Sequence, residues 1–290
     1  MTARRADRSL TCPAPAKLNL FLVITGRRAD GYHLLQTAFR FIDRADELTF
    51  RLRTDGRVRR VAGLVDVAES DDLTVRAARL LQSESGCGLG VDIAVGKHVP
   101  VGGGLGGGSS DAATTLIALN RLWDLRLRRA KLQELALSLG ADVPVFVFGR
   151  NALAEGIGEV LHAIEVGPAW YLVLVPPVAV STAAVFADPQ LTRPTTPVTI
   201  RAFSEGCDPS GLFGRNDLEP VVCRRYPEVA QHLAWLRRFG PAALTGSGAC
   251  VYRAFDSEAP ARSVLAQLPA GMHGFVAQGL SHHPLLDWME

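Results

Sequence analysis

The residues whose types and spacing suit chemistry begin with Pro100-Val-Gly-Gly-Gly-Leu-Gly-Gly-Gly-Ser-Ser-Asp111, where six of the seven residues from Gly102 to Gly108 are glycine. Glycines in such a run let bare amide N–H groups converge on an oxyanion, and a helix N-terminus behind them adds partial positive charge. The run therefore reads as a phosphate cradle. A P-loop would place Lys-Ser/Thr after the last glycine, and Ser109-Ser110-Asp111 stands there instead. A dinucleotide fingerprint would sit in the first βαβ unit, with an acidic residue about 20 positions on. A linker would be longer and more polar, and would not end at a helix cap. Asp142, in Leu139-Gly-Ala-Asp-Val-Pro-Val-Phe-Val147, is a carboxylate among apolar neighbours. Burial would raise its pKa and a nearby cation would restore the charged form, as a general base requires. It also reads as the N-cap of a helix with proline in the first turn, and both roles can hold together. Lys17, in Ala14-Pro-Ala-Lys-Leu-Asn-Leu-Phe21, is the natural cation, or else a lysine snorkelling at a strand end. A later glycine cluster, Leu244-Thr-Gly-Ser-Gly-Ala-Cys250, suits close backbone approach to a ligand or to the first glycine loop, or a hairpin turn.

The elements that must hold these residues can be read from periodicity. Val91–Val95 is a strand before the cradle, and Ala112, Leu116, Leu119 and Trp123 mark one face of the helix behind it, with Ser109 or Ser110 as its N-cap. Leu18–Thr25 reads as a strand, Leu73–Leu81 and Lys131–Leu139 as helices, with Gly140 stopping the second. Glu47–Arg53 and Arg57–Ala62 flank Asp55-Gly56 and read as a hairpin, whose arginines alternate with Leu52 and Val58 as a solvated face. After residue 156 the pattern changes. Trp170–Val175 is a strand, Thr182–Phe186 a short helix and Pro227–Phe239 an amphipathic helix. A strand pair around Ala243–Phe255, a helix near Ala259–Gln267 and a strand at Gly274–Gln278 follow. Two domains are expected, residues 1–156 and 157–290, in an α+β class.

Composition narrows the setting. The chain has 290 residues, 48% of them hydrophobic and 21% charged, which is the balance of a globular protein with ample core. A net charge of +2 gives no reason to expect a polyanion partner. Five scattered cysteines without C-x-x-C spacing suit a reducing compartment rather than a disulfide framework or structural zinc. The basic N-terminus is not followed by an apolar signal region, and the most apolar run, Trp170–Val180, is too short to span a bilayer. The cytoplasm is the expected location.

Taken together, Pro15-Ala-Lys-Leu-Asn-Leu20, the cradle Pro100–Ser110 and Leu244-Thr-Gly-Ser-Gly-Ala249 resemble the GHMP superfamily of small-molecule kinases, whose motifs stand in this order. Ile24-Thr-Gly-Arg-Arg-Ala-Asp-Gly-Tyr-His-Leu-Leu-Gln-Thr37 is similar to the signature of its branch acting on a cytidine diphosphate conjugate. Gly140-Ala-Asp-Val-Pro-Val-Phe-Val147, Ala154-Glu-Gly-Ile-Gly-Glu159 and Asn216-Asp-Leu-Glu-Pro220 support it, and the likeness runs from Pro13 to Phe275. It implies a two-domain α+β fold: an N-terminal domain like ribosomal S5 domain 2, a ferredoxin-like C-terminal domain, and a site in the cleft between them. The implied activity is ATP-dependent phosphorylation of the 2-hydroxyl of 4-diphosphocytidyl-2-C-methyl-D-erythritol, an isoprenoid precursor, with ATP and Mg²⁺ as cofactors. The implied partner is that small molecule, with no nucleic acid and no membrane.

By the same resemblance, Asp142 is the catalytic aspartate and Lys17 the lysine that polarises it and the acceptor hydroxyl. Asn19 helps position the acceptor. Tyr32 stacks on the cytosine, His33 reads its edge, Phe186 is the second slice of the sandwich and Thr182 lies near it. Lys97, Val99 and Val101 border the adenine. Pro100, Gly102, Gly103, Gly104, Leu105, Gly106, Gly107, Gly108, Ser109 and Ser110 hold the triphosphate, and Gly246 and Gly248 close over it. Magnesium ligands and oligomeric state stay unassigned. This chain departs from the family at Asp72 and Asp111, where members often carry asparagine, and at Ala183 and Ala187, where proline and lysine occur. A carboxylate at Asp111 would repel phosphate unless it points away.

Overall fold

The computed structural model describes residues 8–29, 31–63, 67–191, 195–197 and 215–289. Two long strands, β1 (Ser9–Arg27) and β2 (His33–Arg53), pair antiparallel from Ser9↔Arg51 to Arg27↔His33 and form the spine of a six-stranded sheet. β1 takes one edge of β2 along its length. The other edge is shared, β4 (Gly90–Gly96) pairing with Glu47–Arg53 and β5 (Ala152–Glu155) with Thr37–Phe39. β3 (Val58–Ala62) lies outside β4, and β6 (Val160–Ala163) outside β5. Helices α1 (Leu73–Ser85), α2 (Gly107–Leu122), α3 (Arg129–Leu139) and α4 (Val143–Phe148) cover one face, and their apolar sides meet Phe41, Leu48, Phe50, Val91 and Ile93 of the sheet.

The expected hairpin around Asp55-Gly56 does not form. The turn chemistry is present: Gly56 has φ +72°, and the Asp55 carboxylate accepts from Arg53 and from the Arg57 N–H. Yet β4 inserts between the two flanking strands, antiparallel to β2 and parallel to β3. Val91 and Ile93 of β4 are fully buried, and a central position gives that apolar run neighbours on both edges. Parallel pairing of β3 with β4 then needs the crossover that α1 supplies. The arginine face behaves as a solvated one. Arg51, Arg57 and Arg59 are exposed, while Arg53 pairs with Asp55 and Asp92, and Arg60 with Asp72.

The second sheet is antiparallel, in the order β10-β7-β9-β8, from β7 (Trp170–Leu174), β8 (Ala243–Leu244), β9 (Val251–Phe255) and β10 (Gly274–Gln278). α5 (Thr182–Phe186), α6 (Glu219–Arg225) and α7 (Pro227–Arg237) lie between β7 and β8 in the chain, and α8 (Glu258–Leu265) between β9 and β10. That strand order is the ferredoxin-like one. A third cluster of buried residues joins the sheets: Ala16, Leu18, Leu20 and Val23 of β1 meet Tyr171, Val173 and Tyr252 of the second sheet.

The sequence places the division between the two units near residue 156. β6 pairs with β5 and extends the first sheet to Ala163, and the chain end returns to it, with Leu285, Leu286 and Met289 buried in the first core. We place the division after β6, with the last residues belonging to the first unit. No helix among the described residues is long and apolar enough to cross a membrane.

Candidate active site

The alternation of β1 fixes the first functional side chains. Ala16, Leu18 and Leu20 point into the core between the sheets, so Lys17 and Asn19 point the other way, into a cleft of about 830 Å³. Lys17 is 2% exposed. Its ammonium donates to Asn19 Oδ1 at 2.5 Å, lies 3.2 Å from Asp142 Oδ2 and sits 5.3 Å from the centre of the Phe39 ring. Asn19 is fixed in turn. Its amide donates to Thr37 Oγ1 at 2.9 Å, and its backbone N–H donates to Thr245 Oγ1 of the second unit at 2.9 Å. Lys17 is thus no snorkelling surface lysine.

Asp142 stands at the N-terminus of α4, where Val143, Pro144, Val145, Phe146 and Val147 are buried. Its side chain makes no capping hydrogen bond there and faces Lys17 instead. The expected burial of the carboxylate is not observed: α4 turns its apolar side into the core and leaves Asp142 at the cleft, its side chain 39% exposed. A carboxylate at that opening, steadied by a buried ammonium, is placed to accept a proton from a bound hydroxyl.

The glycine loop packs against both units. Gly102, Gly104 and Gly106 hold φ values of +70°, +75° and +72°, the left-handed region that favours glycine. A Cβ on Gly106 would sit 3.0 Å from Lys17 Cε and 2.9 Å from Phe146 Cζ, so the bare glycine makes room for the lysine stem. Gly106, not Ser109 or Ser110, is the N-cap of α2; with no side chain there, the loop reaches the helix as bare backbone. Ser109 faces the cavities, whereas Ser110 is fully buried behind them. The later glycine cluster closes on this loop: the Ala249 N–H donates to Gly102 O at 3.2 Å and the Cys250 N–H to Gly103 O at 3.0 Å. Thr182 and Ser247 hydroxyls lie 2.7 Å apart across the same opening.

A second cavity of about 350 Å³ lies on the other side of the loop, lined by Asp72, Leu73, Lys97, Pro100, Val101, the run Gly102–Ser109 and Asp111. Gly102, Gly104, Gly106 and Ser109 border both cavities. Val99, expected beside the adenine, instead lies in the core between the sheets at 2% exposure, its N–H held by the Asp46 carboxylate. Lys97 is not a free cation. It donates to Asp111 at 2.8 Å and to Asp46, and these two carboxylates raise its pKa despite its burial. Asp72 caps α1, accepting from the Thr74 N–H at 2.8 Å and from Arg60 at 2.8 Å.

At the far end of the large cleft, the His33 and Phe186 rings lie 5.2 Å apart, tilted by 32°, and Tyr32 stands largely in solvent. Gly246 and Gly248 line the same cleft. Thr37, Phe39, Thr245 and Asp46 hold site residues in place and were not singled out from the sequence. Thr37 closes the signature segment, but nothing local shows that it bonds Asn19.

These residues fit a nucleotide polyphosphate: bare amides open a helix, and the cradle has room only for glycine at Gly104 and Gly106. They do not form a magnesium cage, since the described residues contain no group of three His, Cys, Asp or Glu side chains able to hold a metal ion.

Comparison with known proteins adds the following. Residues 72–150 match the model of the GHMP kinases N terminal domain and residues 200–274 that of the GHMP kinases C terminal domain. A Thiobacillus denitrificans protein named 4-diphosphocytidyl-2-C-methyl-D-erythritol kinase is 61% identical over 96% of this chain and 98% of its own length. The protein of that name from Aromatoleum aromaticum is 53% identical over the full length of both chains. A crystal structure of 4-(cytidine 5'-diphospho)-2C-methyl-D-erythritol kinase superposes with a TM-score of 0.79 at 33% identity, covering 93% of this chain and 99% of that one. Homoserine kinase from Cytophaga hutchinsonii shares the fold at a TM-score of 0.70, with 15% identity over 95% of both chains.

Proposed function

Since the chain belongs to the GHMP kinases and, within them, to the 4-diphosphocytidyl-2-C-methyl-D-erythritol kinases, we propose that its cleft transfers the γ-phosphoryl group of ATP to the 2-hydroxyl of that substrate, in the non-mevalonate route to isoprenoid precursors. The observation that carries this reading is the glycine loop standing as the common wall of two cavities, with Lys17 packed against Gly106 and paired to Asp142. The smaller cavity takes the adenosine of ATP, and the larger one the cytidine diphosphate conjugate.

Phosphoryl transfer passes through a loose transition state, so positioning and charge stabilisation dominate its catalysis. Asp142 takes the proton of the 2-hydroxyl as that oxygen bonds to the γ-phosphorus; the bond from phosphorus to the β-bridging oxygen breaks, and ADP leaves. Lys17 holds the carboxylate in line and offsets the negative charge that gathers on the transferred group. Asn19 keeps Lys17 and the acceptor in register. Amides of the glycine loop and the first turn of α2 grip the β- and γ-phosphates, and Gly246 and Gly248 shut the loop from the other unit. Magnesium would arrive on the nucleotide phosphates and shield their charge; no step is assigned to a protein ligand for it. Tyr32, His33, Thr182 and Phe186 hold the cytidine. The cysteine pattern and composition support a cytoplasmic enzyme without nucleic-acid or membrane partners.

ADP release by the purified protein over a panel of acceptors tests the reading. Turnover with the cytidine conjugate, and none with mevalonate or homoserine, is expected. Turnover of mevalonate or homoserine instead would move the protein to another GHMP branch. ATP binding without turnover of any acceptor would make it a silent nucleotide binder.

A further inference from the structure

The first turns of α2 carry a carboxylate that the mechanism does not use. Asp111 is 5% exposed and borders the smaller cavity beside Lys97 and the glycine loop. Its Oδ2 accepts from Lys97 Nζ at 2.8 Å, and the same ammonium donates to Asp46 of β2. Asp46 uses both oxygens as acceptors, Oδ2 toward Lys97 and Oδ1 toward the N–H groups of His98 at 2.5 Å and Val99 at 2.8 Å. Asp111 Oδ1, by contrast, is buried with no hydrogen-bond partner among the described residues. One buried cation thus faces two carboxylates, and the second of these has an oxygen free to carry a proton.

Among the other charged groups near α2, Arg121 of the helix itself lies over the Trp288 ring, and Asp71 at the rim of the same cavity is exposed. Asp72 at the start of α1 pairs with Arg60 of β3, Lys17 of β1 with Asp142 of α4, and Lys131 and Glu134 of α3 pair with each other at the surface. Burial, opposed by Lys97 but assisted by Asp46, pushes the Asp111 carboxyl up to about 7. The Lys97–Asp111 hydrogen bond ties the segment leading into the loop to the helix that leaves it, so the protonation of Asp111 bears on both walls of the cradle.

Resting on the reading of this cavity as the ATP site, we propose that Asp111 is a positioning residue of the nucleotide cradle that binds a proton at Oδ1 as ATP binds. The arriving polyphosphate disfavours a second buried negative charge, and a proton from the buffer removes it while the hydrogen bond from Lys97 stays in place. By linkage, ATP affinity then falls as pH rises above the value at which free Asp111 ionises, by at most about tenfold per pH unit.

Calorimetry of ATP binding at pH 7.5, in buffers of different ionisation enthalpy, reads the proton directly. Wild-type protein is expected to take up about half a proton or more beyond the nucleotide's own titration, and its KM for ATP to rise several-fold from pH 6.5 to 8.5. Asp111→Asn should lose the extra proton and flatten the KM profile. Asp46→Asn, which removes the competing carboxylate, should lose the extra proton as well. ATP binding to wild type without the extra proton overturns this inference alone, whatever the variants do. Failure of wild type to bind ATP overturns the kinase reading and this one with it.

Discussion

The contact between the two glycine segments can be tested at one atom. Gly104 has φ +75°, and a Cβ placed there would overlap the carbonyl oxygen of Thr245 and lie 3.0 Å from that of Gly248. Both obstacles are backbone, so no side chain can swing aside. In Gly104→Ala the left-handed conformation costs about 1–2 kcal/mol. Overpacking adds roughly 1–3 kcal/mol, unless the loops part by about an ångström. Parting strains the Ala249-to-Gly102 and Cys250-to-Gly103 hydrogen bonds and shifts a residue that borders both cavities. A displacement of that size lowers kcat/KM by about 10²-fold in a reaction that depends on alignment. Gly271 provides the control, because its φ is +86° and a Cβ there would meet nothing within 4 Å. Gly271→Ala should carry the left-handed cost alone, about 1–2 kcal/mol, with unchanged kinetics. Steady-state ADP release and thermal unfolding of both variants decide the matter. If Gly104→Ala keeps kcat/KM within about threefold of wild type and loses no more stability than Gly271→Ala, the two units are not locked through this contact and the alignment argument fails.

Three further outcomes are expected. Asp142→Asn keeps the side-chain shape beside Lys17 and should lower kcat by about 10²–10⁴, the usual contribution of a general base, with unfolding temperature little changed; near wild-type turnover would remove Asp142 from that role. Tyr32→Ala should raise KM for the cytidine substrate far more than KM for ATP, since Tyr32 borders the larger cavity and not the smaller; equal effects on both would sink the cytidine-pocket assignment. Deleting residues 281–290 removes Leu285, Leu286 and Met289 from the first core. At about 1.5–3 kcal/mol for each buried side chain, and roughly 2–4 °C per kcal/mol, the unfolding temperature should drop by about 10 °C or more. A drop below about 3 °C would show that the tail is only lightly held.

What could be read from the sequence, and what could not, follows the reach of the interactions. The glycine run, Lys17 and Asp142 stood out because each breaks a local pattern: too many glycines between a strand and a helix, and a charge set among apolar residues. The helices and most strands were legible for the same reason, their periodicity being local. The local pair around Ala243–Phe255 was legible too, as β8 and β9, but pairing within the first sheet was not. Asp55-Gly56 carries the chemistry of a tight turn and makes one, but whether its flanking strands become neighbours depends on β4, which competes for the same edge of β2 and wins because Val91 and Ile93 need burial on both sides. The same competition decides the fate of Asp111. As a letter after the cradle it reads as an electrostatic fault, a carboxylate where phosphate should bind. What answers it is Asp46, which nothing in Arg44-Ala-Asp-Glu47 marks as special. β2 brings Asp46 beside the end of β4, and there it shares Lys97 with Asp111. A cluster made by strand pairing is invisible to any reading of neighbours in the chain. The charge at Asp111 therefore has to be judged against the lysine and the second carboxylate that the fold supplies, and on that footing it is a group poised to take a proton rather than a defect in the phosphate site.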